Sequence, residues 1–316
     1  MGEGGYKQIN KSLNICAFDD YLTIQQSILP PLADVEQLTP RIIRILGQNP
    51  GKFTLQGTNT YIVGTGSQRL IIDTGQGFRE WADLISQTLQ QHNITLSHVL
   101  LTHWHGDHTG GVPDLIRMDP SLGKSIWKHS PEGTQRSIEE GDKIQVEGAT
   151  LRAVHSPGHS HDHMCFVLEE ENAMFTGDNI LGHGVSSAVE ELSTYMNTLH
   201  KMRSQNCGAG YPAHGAVIPN LRIKISAELA RKIRREKQYL LALQRIKKER
   251  MASRQAVGVT VEELVLILHG MNIDAEVRKM ALEPFVEEVL RKLAEDGKAA
   301  FQIRGGQRLW FSLDIS

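Results

Sequence analysis

Four potential metal ligands stand within six consecutive positions of this 316-residue chain, directly after an apolar run. They form an H-x-H-x-D-H motif and are His103, His105, Asp107 and His108. In extended or loop backbone, residues two apart point the same way, so His103 and His105 can converge on one ion. Asp107 and His108 can then reach a second ion about 3.5 to 4 Å away, with one hydroxide clamped between the two. The motif therefore predicts a two-metal hydrolase centre.

The surroundings of the motif indicate an α/β fold. Residues 96–101 are mostly aliphatic, which predicts a buried strand, and a Gly-Gly pair then opens a helix predicted over residues 112–118. The motif thus follows the carboxyl end of a strand, and α/β sheets place their ligand sites at that edge.

Three further metal donors follow in the chain, each on a turn after an apolar stretch. They are His159, which suits the first ion, Asp178, which is placed to bridge both ions, and His214, which suits the second. A single histidine beside glycine is also an ordinary turn residue, so each assignment depends on the motif that precedes it. With that motif, the three complete a predicted set of seven ligands.

Four residues are candidates for roles beside the ligand set. Asp73 ends an apolar strand, where it can accept the free N–H of a ligating imidazole or simply begin a turn. Asp107 can also act as a proton shuttle, although its role as a metal ligand is enough to explain its presence and is favoured. His183, which lies between two glycines, is a candidate group on the substrate side, and His163 is a candidate for supporting a ligand.

The ordered set of Asp73, the H-x-H-x-D-H motif, His159, Asp178 and His214 resembles the metallo-β-lactamase superfamily. The resemblance implies an α/β fold, the αββα sandwich. True lactamases of that fold generally carry Cys or Ser at the position of Asp178, which argues against antibiotic hydrolysis. Only 36 positions separate Asp178 from His214, too few for the inserted domain of the nucleic-acid-processing branch. Thioester and ester hydrolases of the glyoxalase II type and a compact endoribonuclease-like branch remain.

A narrower resemblance covers nearly the whole chain. Residues 4–21, 47–54, 182–184 and 281–285 are similar to fungal atrochrysone carboxyl ACP thioesterases encoded beside non-reducing polyketide synthases. The resemblance implies that an aromatic polyketide is released from its partner, the acyl carrier protein of the synthase, by metal-hydroxide attack or by Claisen-like cyclisation. The alternatives are a metallo-β-lactamase-type endoribonuclease and a glyoxalase II-like hydrolase of small thioesters.

The predicted ligands are five imidazoles and two carboxylates, with no thiolate. Such a set suits zinc, and manganese and iron tolerate it as well. The resemblance to the fungal thioesterases also implies manganese as a candidate cofactor, because that family includes manganese-dependent members. We therefore expect two divalent metal ions, Zn²⁺ or Mn²⁺, as cofactors.

Composition argues against several partners and compartments. The formal net charge of -2 gives the chain as a whole no attraction for nucleic acid. The three cysteines are few, odd in number and far from metal-ligand spacing, which indicates a reducing compartment. No stretch approaches the roughly 20 apolar residues of a membrane span, and the N-terminus lacks a secretory signal pattern. We expect a cytoplasmic protein that binds neither membrane nor nucleic acid.

Changes in sequence character divide the chain into three predicted regions. Residues 1–37 form an N-terminal extension, residues 38–219 the hydrolase core, and residues 220–316 a helical region that resembles a small winged-helix module. In this last region a capping box at Thr260 and Glu263 precedes a helix, a second helix follows over residues 282–295, and residues 299–303 and 308–313 form a hairpin.

A long basic helix, predicted over residues 223–251, opens the last region. Residues 222–250 contain eleven Lys and Arg against three Glu. The predicted buried stripe consists of Ile225, Leu229, Ile233, Leu240, Leu243 and Ile246. The basic side is interpreted as a solvated face, a docking face for the acidic carrier protein, or an RNA-binding surface. RNA is disfavoured because Tyr239 is the only aromatic residue among the basic ones.

Overall fold

The computed structural model describes residues 29–51, 53–183, 189–270, 275 and 278–313. Most of the predicted N-terminal extension, residues 1–28, lies outside the described residues. The described part forms two compact units, residues 29–190 with 194–226, and residues 191–193 with 227–313. The region boundaries proposed from the sequence stay predictions.

The first unit contains a seven-stranded mixed sheet with its strands in chain order. The strands are β1 (Val35–Thr39), β2 (Ile42–Leu46), β3 (Asn59–Val63), β4 (Gln68–Ile72), β5 (Thr95–Leu100), β6 (Ile126–Lys128) and β7 (Arg136–Ser137). Neighbours from β1 to β4 are antiparallel, and those from β4 to β7 are parallel. Helix α1 (Arg79–Gln91) provides the crossover that the parallel pair β4 and β5 requires. The strand predicted over residues 96–101 is β5.

A second sheet of five strands follows in the same unit, in the order β12-β11-β10-β9-β8. Its strands are β8 (Lys143–Val146), β9 (Ala149–His155), β10 (Met164–Leu168), β11 (Ala173–Gly177) and β12 (Ala209–Pro212). Only the β11–β12 pair is parallel. Consequently the ends of β9 and β11 open into loops at the same edge as the start of β10.

The two sheets pack face to face through one apolar core. Side chains of both sheets meet there, including Ile42, Tyr61, Leu70, Ile72, Leu151, Phe166, Phe175 and Tyr211. Alternate residues of the first sheet point the other way, so Ile43 and Ile45 on β2 belong to a different cluster. Each fully buried aliphatic or aromatic side chain contributes about 1.5–3 kcal/mol to folding.

Helices α1 and α3 (Val112–Met118) cover the outer face of the first sheet, and α3 matches the predicted helix. Trp81 on α1 is fully buried and donates its indole N–H to Thr60 Oγ1 at 3.0 Å. At Gly111 a Cβ atom would lie 2.1 Å from Thr74 O and 2.4 Å from the Trp81 ring, so only glycine fits. This close approach fixes the chain just after the H-x-H-x-D-H motif.

Helix α4 (Leu192–Ser204) provides the corresponding contacts on the second sheet's side. Tyr195 donates its hydroxyl to Asn179 O at 2.6 Å, and Thr198 Oγ1 donates to Pro157 O at 2.7 Å. Because these carbonyls belong to the loops after β11 and β9, the helix holds both loops in place. The layers of the first unit therefore run helix, sheet, sheet, helix.

The second unit is helical with a two-stranded hairpin. It contains most of α5 (Leu221–Ala252), then α6 (Val261–His269), α7 (Glu283–Glu295), β13 (Ala299–Arg304) and β14 (Gln307–Ser312). The predicted capping box is confirmed, because Thr260 Oγ1 accepts from the Glu263 N–H and the Glu263 carboxylate accepts from the Thr260 N–H. The later helix and hairpin also lie where the sequence predicted them. None of the described helices is both long and apolar enough to cross a membrane.

The prediction that Ile233 belongs to the buried stripe of α5 is wrong. Ile233 is 50% exposed, whereas Lys232 and Glu236 are buried. The buried positions advance by alternating steps of three and four residues, which places position 232 on the buried side and position 233 beside it. Glu236 tolerates its buried position through pairing, since its carboxylate lies 3.2 Å from the Lys292 ammonium group on α7.

Candidate metal centre

The H-x-H-x-D-H motif spans two kinds of backbone. His105 is extended, with φ −60° and ψ 144°, and immediately precedes the short helix α2 (Gly106–Thr109). Asp107 and His108 therefore lie on a helical turn, where successive side chains are rotated by about 100°. The extended part aims His103 and His105 at one point, and the turn aims the other two residues at a second.

The first group consists of His103, His105, His159 and Asp178, which are all buried and whose donor atoms lie within 4.8 Å of one another. His105 Nδ1 is 2.9 Å from His103 Nε2 and 3.1 Å from His159 Nε2. The two Nε2 atoms of His103 and His159 are 3.2 Å apart. Tetrahedral Zn–N bonds of about 2.0–2.1 Å place their nitrogens roughly 3.3 Å apart, so this spacing fits one ion.

The second group consists of Asp107, His108 and His214, which are also buried. The Nε2 atoms of His108 and His214 each lie 3.3 Å from Asp107 Oδ2. Asp178 is close to this group as well, with Oδ1 3.2 Å from His214 Nε2 and Oδ2 3.6 Å from His108 Nε2. One carboxylate thus faces both groups, which is the geometry of a dinuclear metal site.

The two groups differ in electrostatics. Burial, assisted by His159, lowers the pKa of His105 to about 4. Burial also acts to lower the pKa of His214, but the carboxylates of Asp178 and Asp107 outweigh it and raise that pKa to about 9. The His105 ring therefore stays neutral, as the imidazole of a metal ligand must be. The second group attracts positive charge, either a proton or a divalent cation.

Buried atoms without hydrogen-bond partners provide a test of fit. His108 Nε2, His214 Nε2 and Asp178 Oδ1 are buried and, although they face one another, none has a partner with hydrogen-bond geometry. Leaving one such atom unsatisfied costs about 1–3 kcal/mol, and native proteins contain few. Divalent ions at the two groups would satisfy all three atoms, so the residues present fit a dinuclear metal site.

Asp73 supports the second group from the end of β4. Its Oδ2 accepts a hydrogen bond from His108 Nδ1 at 2.8 Å, and its Oδ1 accepts from the Thr102 N–H at 2.8 Å. The Thr102 hydroxyl also donates to Oδ2 at 2.8 Å. With its hydrogen on Nδ1, His108 presents the lone pair of Nε2 to the centre. The sequence predicted such an acceptor at Asp73 but gave no indication of Thr102.

The loop that carries His159 is fixed by a glycine and by a buried ion pair. Gly158 has a φ of +130°, and a Cβ atom there would lie 2.5 Å from Tyr195 Cα. Lys128 at the end of β6 pairs with Asp162, and both side chains are almost fully buried. Removing either partner would leave a buried charge uncompensated, at a cost of about 3–5 kcal/mol. Neither residue carries a sequence signal for this pairing, because the two partners are 34 positions apart in the chain.

Two side chains of β3 hold the loop that carries His214. Asn59 Nδ2 donates to Pro212 O and to Gly215 O, both at 2.8 Å. The Tyr61 hydroxyl donates to Pro212 O at 2.6 Å. These bonds connect the middle of the first sheet to the last ligand, and the only sequence signal for them is a polar residue within an apolar strand.

His163 is fully buried beside the centre and belongs to neither group. Its Nε2 accepts the Asp178 N–H at 3.1 Å, and its ring centroid is 5.1 Å from that of His103. Burial holds the pKa of His163 well below its usual range. Because Nε2 accepts, the neutral ring carries its hydrogen on Nδ1, where Ser156 Oγ lies 3.0 Å away. His163 thereby fixes the backbone of the carboxylate that both groups share.

Gly177 allows this contact between His163 and Asp178. Its φ is +50°, and a Cβ atom at this position would lie 2.4 Å from His163 Nε2. Asn179, on the other side of Asp178, donates Nδ2 to Ser156 O at 2.7 Å. Asp178 is therefore held from both neighbouring positions. The role of Asn179 was not predicted from the sequence.

His183 lies on a segment that runs beside the His214 loop. The Gly182 N–H donates to His214 O at 2.8 Å, and a Cβ atom at Gly215 would lie 2.9 Å from the His183 nitrogen. His183 is half-buried. Its proposed role on the substrate side stays a prediction.

Residues 53–118 and 121–214 match the family model of the metallo-beta-lactamase superfamily, and the chain belongs to this superfamily. A beta-lactamase domain protein from Burkholderia ambifaria has the same fold, with a TM-score of 0.69 over 90% of this chain and 95% of its own. At 17% identity this likeness shows the fold alone. The αββα fold that the resemblance implied is confirmed.

The narrower resemblance is confirmed as well. The atrochrysone carboxyl ACP thioesterase AacuM of Aspergillus aculeatus is 70% identical over 99% of this chain and 100% of its own length. The atrochrysone carboxyl ACP thioesterase AgnL7 of Paecilomyces divaricatus is 68% identical over 99% of both chains. The similarity thus includes the N-terminal residues and the second unit as well as the matched superfamily region.

Substitution of Asp178 by alanine tests whether one carboxylate serves both groups. We expect the purified protein to hold two divalent ions per chain and Asp178→Ala to lose metal from both groups, because its two oxygens face His214 and His159. Elemental analysis after gel filtration measures this. Asp83→Ala, at an exposed carboxylate on α1, is the matched control. Retention of two ions by Asp178→Ala would contradict a shared role.

Variants of His163 test its hold on Asp178. His163→Leu removes the acceptor for the Asp178 N–H and is expected to weaken metal affinity about 10- to 100-fold, as loss of an outer partner of a metal ligand does. His163→Gln keeps an acceptor and should recover much of that affinity. Competition with a chromogenic chelator measures affinity, and thermal unfolding of the metal-free chains controls for folding. Equal affinity of the two variants would rule out the hydrogen bond as the cause.

Proposed function

We propose that this chain is a metal-dependent thioesterase that releases an aromatic polyketide of the atrochrysone carboxylic acid type from the acyl carrier protein of a non-reducing polyketide synthase. The observation that carries the proposal is a complete buried His/Asp centre in a chain 70% identical, end to end, to an atrochrysone carboxyl ACP thioesterase. Release takes place by hydrolysis or by Claisen-like ring closure.

Each proposed ligand has a defined place in the centre. His103, His105 and His159 would hold one ion, Asp107, His108 and His214 would hold the other, and Asp178 would be shared. When bound, two divalent ions supply Lewis-acid activation of the attacking group and polarise the thioester carbonyl.

The side chains of the protein contribute orientation and proton transfer. Asp73 fixes the ring of His108, so that the Nε2 lone pair stays directed into the centre. Asp107, beside His108 and His214, serves in this proposal as a ligand first, and its second role as a proton shuttle stays a prediction. The leaving thiol has a pKa of about 8.5, so it departs as a thiolate without a strong general acid. The chemistry therefore requires little beyond the centre itself and a bound thioester.

We also propose the cytoplasm as the compartment. The two described cysteines, Cys165 and Cys207, are free and buried, which supports a reducing environment. Burial raises the pKa of the Cys165 thiol to about 12, so this thiol is unreactive and serves in packing.

The identity of the metal is proposed to be zinc or manganese. Nitrogen-rich coordination by His103, His105 and His159 favours zinc, and the carboxylates of Asp107 and Asp178 accept manganese as well. We expect metal-free protein to regain turnover with Zn²⁺ or Mn²⁺ and not with Mg²⁺ or Ca²⁺, which prefer all-oxygen ligands. Titration of the metal-free protein with each ion measures this, and recovery with Mg²⁺ alone would contradict the proposed ligand set.

A comparison of substrates tests the reaction. The protein should liberate the carrier thiol from a polyketide thioester on a carrier domain, and should leave single-stranded and structured RNA intact at the same enzyme concentration. Thiol release is followed with a thiol reagent and RNA by gel electrophoresis. Reaction in ¹⁸O-water distinguishes the two outcomes, because hydrolysis labels the product and ring closure does not. Cleavage of RNA without thioester turnover would overturn the proposed function in favour of an endoribonuclease.

A further inference from the structure

Two of the three acidic side chains of α5 are buried. The helix carries eleven Lys and Arg and three Glu. Glu228 is 2% exposed and Glu236 is 7% exposed, which leaves Glu249 as its only exposed acid. The charge that this helix presents to solvent is therefore more positive than its sequence alone indicates.

Several of the cations on α5 are already engaged within the second unit. Lys232 is buried, Lys247 donates to Ser312 O at 3.2 Å, and Arg250 pairs with Glu263 at 3.3 Å. Arg234 and Lys237 differ from these residues. Both are exposed, and neither has an ion-pair partner among the residues that the structure describes.

Exposed apolar side chains adjoin these two cations. Ile233 is 50% exposed and Leu241 is 53% exposed. Position 237 is three residues from 234 and four from both 233 and 241, so all four positions lie on one side of the helix. We call Ile233, Arg234, Lys237 and Leu241 the docking face. Arg235, the next residue along, is ordered by stacking at 4.8 Å from the Phe285 ring centroid.

We propose that the docking face binds the acyl carrier protein, an inference that rests on the proposed function. The carrier presents its substrate on a phosphopantetheine arm, so the partner always brings a phosphodiester anion. The unpaired guanidinium and ammonium groups of Arg234 and Lys237 complement that anion and an acidic carrier surface. Ile233 and Leu241 supply the apolar contact that cores of protein interfaces contain.

Nucleic acid fits this surface less well. Proteins that bind single strands combine cations with aromatic side chains on which the bases stack. The only aromatic residue of α5 is Tyr239, which is 2% exposed, and its hydroxyl lies 3.1 Å from His269 Nε2. The docking face therefore offers cations and aliphatic side chains, which suits a folded acidic protein.

The test reverses the two unpaired charges. In Arg234→Glu/Lys237→Glu we expect the KM for the carrier-bound thioester to rise about tenfold with kcat unchanged, because steering is lost. The dependence of kcat/KM on salt should also flatten. The matched control is Arg79→Glu/Lys124→Glu, which reverses two exposed cations in the first unit. A thioester of N-acetylcysteamine, which has no carrier, should be turned over equally by all three proteins.

Each other outcome has a definite meaning. If the variant loses turnover of both thioesters equally, the two residues have a structural role. If turnover of neither thioester changes, the docking face is a solvated surface. Either result overturns the proposal. Loss of RNA binding in the variant, with carrier turnover intact, assigns the face to nucleic acid and also overturns it. Failure of the unaltered protein to cleave any thioester removes the proposed function itself, and so is distinguishable from failure of docking. Ile233→Asp, which leaves both cations in place, should raise the same KM.

Discussion

Two buried carboxylates, Asp107 and Asp178, lie among five buried imidazoles, and this concentration of ionisable groups governs the first unit. An isolated buried charge is costly, and a buried ion pair is favourable only when its remaining lone pairs and protons are satisfied. Here the nitrogens stand at tetrahedral ligand spacing, with atoms that lack hydrogen-bond partners directed inward. Divalent cations would satisfy these groups, and metal binding would then connect folding of the surrounding loops to the chemistry of the centre.

The rest of the first unit brings distant ligands to that point. The ligands follow β5, β9, β11 and β12, which belong to two sheets. Convergence depends on contacts between loops and sheets, such as the Asn59 amide on the His214 loop, 153 positions away. Asp73, His163 and the Lys128–Asp162 pair perform the same task for the other loops. Each holds a ligand without belonging to either ligand group.

The residues of the two His/Asp groups could be predicted from the sequence because each follows a strand whose apolar pattern is local. The fold followed from the family resemblance that these residues carry. The sequence also predicted α3 and the capping box of α6, both of which depend on residues close in the chain. It did not predict Thr102, Asn59 or Lys128, because their partners are identified only once the strands are paired. Ile233 was assigned to the wrong side of α5 because an apolar residue usually marks the buried face. Here Lys232 and Glu236 are buried instead, and Glu236 pairs with Lys292.

The glycines next to the ligands enlarge the set of positions at which mutation can abolish activity. At Gly158 and Gly177 any other side chain would enter space occupied by Tyr195 or by His163. A variant at either position keeps every ligand, yet its ligand loop has to move. In natural isolates or mutational scans, such substitutions would have the phenotype of a missing ligand. The mutational footprint of the centre is thus considerably wider than its seven donors, and it follows the supporting loops rather than the metal.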